Sequence, residues 1–105
     1  MSAPTDRETA AHVLWHYTGS EFPEAYRPGS FYEALQSAIA KADIVNRDRL
    51  LLVFRHQVVL AMLAEHVPDG IDLLRQLARG EEAMVKAEQA VLAVILAETE
   101  ASERG

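Results

Sequence analysis

Thr5-Asp6-Arg7-Glu8-Thr9-Ala10-Ala11-His12-Val13-Leu14-Trp15-His16-Tyr17-Thr18-Gly19 decides the fold class of this 105-residue chain. Thr5 and Glu8 stand three apart, as a capping box requires: the hydroxyl accepts from the Glu8 amide while the Glu8 carboxylate accepts from the Thr5 amide. Ala10, Val13, Leu14 and Tyr17 then recur at three- and four-residue spacing and form one stripe, and Gly19 is placed to end the helix as a left-handed cap. Pro4 sits just outside.

The same spacing rule carries the fold outward. Ser20 to Gly29 contains Pro23, Pro28 and Gly29 without periodicity and reads as a loop, with Phe22 and Tyr26 tucked against the helices. A second box, Ser30-Phe31-Tyr32-Glu33, opens a helix whose face is Phe31, Leu35, Ala38, Ile39 and Ala42. Asp43 to Asn46 is the turn to a third helix, with Asn46 as its cap. From Leu50 to Val67 the chain is apolar except at Arg55-His56-Gln57, which fan out by ~100° steps, so either a break falls there or one long helix is wrapped by its neighbours. Pro68-Asp69-Gly70 stops that segment. A short helix follows with Ile71, Leu74 and Leu77 or Ala78 inward, then a last helix from Glu81 to Glu98.

No stretch alternates with period two, so the expectation is an all-α protein, a compact bundle of four to five helices forming one domain over residues 1–105, frayed at 1–4 and 100–105. Half of the residues are apolar and a quarter charged, the proportions of a globular protein. The longest apolar runs fall far short of the ~20 residues of a spanning helix, and Met1 to Glu8 has no apolar leader segment. The expected setting is therefore cytoplasmic, away from any membrane.

Zero cysteines exclude disulfides, thiolate metal sites and cysteine nucleophiles. His12 and His16 have metal-gripping i, i+4 spacing, but His12-Val13-Leu14-Trp15-His16 lacks the glutamate of a zincin helix and offers no third ligand, so they read as surface histidines flanking a tryptophan. No nucleophile elbow, phosphate-cradling loop or facing carboxylate pair is present. No catalytic residue, metal or cofactor is assigned, and the expectation is a protein that is not an enzyme.

Binding is the remaining class. Trp15, Tyr17, Phe22 and Tyr26 lie close in sequence and form a candidate aromatic surface for a partner, set against the alternative that they complete a small core. Met84, Ala87, Val91, Leu92, Val94 and Ile95 give the last helix an apolar band wider than one packing stripe requires, which points to self-association as a homodimer. Arg47, Arg49, Arg55, Arg75 and Arg79 suggest a DNA-binding regulator with a helix-turn-helix-like segment at 43–80. Five acids bring that segment to zero net charge within a chain of net charge −6, which makes nucleic acid the less favoured partner.

Trp15-His16-Tyr17, Pro28-Gly29-Ser30-Phe31, Ala38-Ile39, Lys41-Ala42-Asp43, Asn46, Leu50 and Phe54 resemble small all-helical proteins of unknown function from actinobacterial phages and genomes, over residues 13–60. The resemblance implies the loop, the capped helix and the turn described above. It also implies a phage or prophage accessory protein that acts on a host protein. Members of that group continue the phenylalanine with a proline, where this sequence has Arg55.

Overall fold

A computed structural model of the chain describes residues 4–104, so the expected fraying of residues 1–3 and 105 lies outside the described residues. Those described form six helices and no strand. They are α1 (Asp6–Thr18), α2 (Ser30–Lys41), α3 (Ile44–Val53), α4 (Arg55–His66), α5 (Gly70–Ala78) and α6 (Met84–Arg104). The radius of gyration, 13.4 Å, is that of a folded bundle of this length, drawn out to 42 Å along one axis.

The Thr5 box forms as read: the Thr5 hydroxyl accepts from the Glu8 amide at 3.1 Å, and the Glu8 carboxylate accepts from the Thr5 amide at 3.1 Å. Ala10, Val13 and Leu14 are fully buried. Gly19 ends the helix at φ +62°, a backbone that side-chain-bearing residues rarely adopt, with its N–H donating to the Trp15 carbonyl.

Two other caps differ from the sequence reading. Gly29 takes the extended N-cap conformation of α2, which makes Ser30 the first helical residue and removes its hydroxyl from capping reach, while Glu33 pairs with Arg27 instead. Asp43, rather than Asn46, caps α3, its carboxylate accepting from the Asn46 amide at 2.8 Å. Asp43 fills the role because it precedes the first helical turn, where the unpaired amides lie. The inward face of α2 is Leu35, Gln36 and Ile39, with Phe31 and Ala38 exposed.

Of the two alternatives at Leu50 to Val67, the break holds and the single long helix does not. The helix breaks at Phe54, with φ −118° and ψ 53°, and α4 beyond it is wrapped: Val58, Val59, Leu60, Ala61, Met62 and Leu63 are buried in succession. Such a run is buried on every side only where neighbours cover the whole circumference, and α1, α2, α3, α5 and α6 all pack on α4. The break raises the helix number to six.

Gly70 is the first helical residue of α5 and is buried against α4 rather than standing in an open turn. A Cβ there would lie 1.8 Å from the Leu63 carbonyl oxygen, so the glycine permits the close approach of two helices. Leu73, Leu74, Leu77 and Ala78 then face the core. α6 starts at Met84, three residues later than expected, and continues through Arg104 instead of ending at Glu98. No described helix is long and apolar enough to cross a membrane.

Candidate interaction surface

The aromatic residues singled out from the sequence differ in their surroundings. Tyr17 packs against the core and its hydroxyl donates to Glu65. Phe22 packs on the same core beneath the Arg75 guanidinium, 4.4 Å from its ring centre, and Arg75 in turn donates to Glu24 at 3.0 Å. Trp15 is half-buried on α1, and Tyr26 is 68% exposed beside His12. None of these four rings stacks on another among the described residues. Their short sequence separation decided nothing, because a helix and a loop turn successive side chains in different directions.

His12 and His16 meet different aromatic neighbours. His12 lies 6.1 Å from Tyr26 and 6.2 Å from Tyr32, whereas His16 meets the edge of Tyr17 at 4.9 Å. Burial holds the His12 imidazole below its ordinary value, against a smaller opposing pull from Glu8. Among the described residues no group of three or more metal-ligating side chains forms.

Four of the five arginines offered for phosphate are engaged within the chain. Arg47 is buried and donates to both Glu98 oxygens, at 3.0 and 2.9 Å, and to Asp48. Arg55 pairs with Glu88, Arg75 with Glu24, and Arg79 with Glu24 and Glu81. Hydrogen bonding from Arg47 is the main cause that holds the Glu98 carboxyl below the usual carboxylate range. This pair ties α3 to the second half of α6.

The band on α6 resolves into two faces. Ala87 and Val91 are fully buried in the protomer, and Met84, Val94 and Ile95 are half-buried against the same core. Ala87 and Val91 therefore serve packing within the chain, Ile95 also lines the open groove beside α3, and of the six expected to meet a second copy only Leu92 is exposed. On the opposite side Val85, Gln89, Leu92 and Leu96 succeed one another by four, three and four residues, within a ~60° arc at ~100° per residue. All four are exposed.

Leu52 at the end of α3 lines one groove with Val85 and Leu92, and Leu52 at 87% and Val53 at 75% have the two largest exposures among the big apolar side chains. Leu51, Leu52, Val85, Leu92 and Ile95 line a groove of about 640 Å³ between α3 and α6, with the Arg55–Glu88 pair at its rim. At the area equivalent of burying a Val or Leu side chain, Leu52, Val53, Val85, Leu92 and Leu96 present on the order of 500 Å² of apolar surface. That is near the upper end for the largest patch on a monomer, where such patches are often functional.

The sequence signal for this face was present in the width of the α6 band. Most of the residues expected there lie on the inner stripe instead, because a helical wheel does not reveal which of two apolar stripes the core takes. Leu52 and Val53 carried no signal, since an apolar run is the ordinary mark of burial. Compared with models of known families, with curated proteins and with solved structures, the chain matches none.

Proposed function

We propose that this chain is a protein–protein interaction module that docks through the outer face of α6 and the exposed end of α3. The carrying observation is the apolar row Leu52, Val53, Val85, Leu92 and Leu96 beside an apolar groove, in a bundle whose own core is already closed by Ala87, Val91 and α4. Exposed apolar surface of this extent costs free energy in water until something covers it. A phage-type accessory role, in which the module acts on a host protein, rests on the resemblance over residues 13–60. The regulator reading of residues 43–80 loses support from the internal pairing of Arg47, Arg55, Arg75 and Arg79.

The test compares the native chain, immobilised, with a Leu52→Ser/Leu92→Ser double variant that alters only exposed positions. A protein retained by the native chain and lost from the variant, together with no retention of duplex DNA, is the expected outcome. Salt-sensitive retention of DNA by both would favour the regulator instead.

A further inference from the structure

Resting on that docking surface, we infer that its occupant is a second copy of the chain, with the two α6 helices crossing antiparallel on a two-fold axis at Ala93. Area supports a like partner. A standard interface takes roughly 800 Å² from each side, about 65% of it apolar in homodimers. Leu52, Val85, Leu92 and Leu96 supply a large part of that apolar share from each protomer.

Charge fixes the direction. From Gln89 to Ala97 no residue of α6 carries a charge, and Ala93 and Ala97 are small and exposed, so two helices can approach closely there. Glu88 and Glu98 lie five residues either side of Ala93, and each is already paired within its own chain, to Arg55 and Arg47. Lys86 and Glu100 lie seven residues either side, and both are exposed. Antiparallel crossing at Ala93 sets Lys86 against Glu100 of the partner subunit, twice by symmetry. Parallel pairing would instead oppose lysine to lysine and glutamate to glutamate.

The same arrangement covers Leu92 beside the small Ala93 at the axis. It also brings Leu52 to the edge of the contact, where the groove beside α6 receives the flank of the partner helix.

The chain has no cysteine, so single cysteines report proximity directly. Under mild oxidation Ala93→Cys should give a disulfide-linked species of twice the 11.6 kDa chain mass, and Glu103→Cys, ten residues from the axis, should not. Light scattering should find the native protein at the doubled mass and Leu92→Glu at the single mass with its helical circular dichroism intact. Lys86→Glu should weaken association by severalfold, and Lys86→Glu/Glu100→Lys should restore it. A native protein that stays monomeric to millimolar concentration overturns the inference, as does equal crosslinking of both cysteine variants or failure of the double charge swap to restore association. If that monomer still captures a protein through Leu52 and Leu92, the interaction-module reading survives; if capture is also indifferent to those residues, both fall.

Discussion

Replacing Gly70 by alanine should destabilise the protein, against the sign that helix propensity gives. Gly70 is a helical residue, and by propensity alone alanine would be the better former by up to about 1 kcal/mol. The added Cβ, however, would stand 1.8 Å from the Leu63 carbonyl oxygen and 2.6 Å from its carbon, whereas ordinary contact begins near 3.4 Å. Neither neighbour is a side chain that can rotate away. The Leu63 carbonyl also accepts from the Val67 amide at the end of α4, so relief requires α5 to move as a body. That movement pulls Leu73, Leu74 and Leu77 from the core. Overpacking of this kind costs about 1–3 kcal/mol, and backbone on both sides puts Gly70→Ala at the upper end, for a net loss of about 2–3 kcal/mol. Against a total of about 5–15 kcal/mol that is a large share, and it should lower Tm by roughly 8–24 °C for a chain of this size. Urea denaturation followed by circular dichroism, with Gly29→Ser as control, measures it. Gly29 has open space around its Cβ position and already occupies an N-cap, so a serine there should gain a few tenths of a kcal/mol. A Gly70→Ala protein as stable as the native one would refute the close-approach reasoning.

Arg47→Met should cost about 2 kcal/mol in the same assay, below the range for a fully buried pair because Glu98 keeps contact with water, and adding Glu98→Leu should recover most of it. The depressed Glu98 carboxyl contributes stability that is complete above the ordinary glutamate value of 4.5 and is lost as pH falls through its lower folded value; in Arg47→Met this part of the acid sensitivity should vanish. His12, held neutral by burial, should titrate below 6.5 by NMR; the unfolded chain takes up that proton first, so stability falls as pH drops from 6.5 towards the folded value. Asp43→Ala should lose about 1 kcal/mol and Asn46→Ala much less, since the Asp43 carboxylate receives the α3 amide.

The residues that specify local structure could be read without coordinates. Thr5 and Glu8 announce the start of α1, Gly19 its end, and three- and four-residue spacing the all-helical class, because each is a relation between residues within a turn or two. The width of the apolar band on α6 was likewise legible and already suggested a second contact. Tertiary structure decided what local relations leave open. It assigned Ala87 and Val91 to the core and Val85, Leu92 and Leu96 to the outside, because only the position of α4 distinguishes two equally apolar stripes. It half-buried Trp15 and left Tyr26 exposed, committed four arginines to carboxylates up to 55 residues away, and placed Gly70 against Leu63. Those outcomes depend on which distant backbones meet, and pairings at long separation are set by packing of the whole chain rather than by any pattern within one segment.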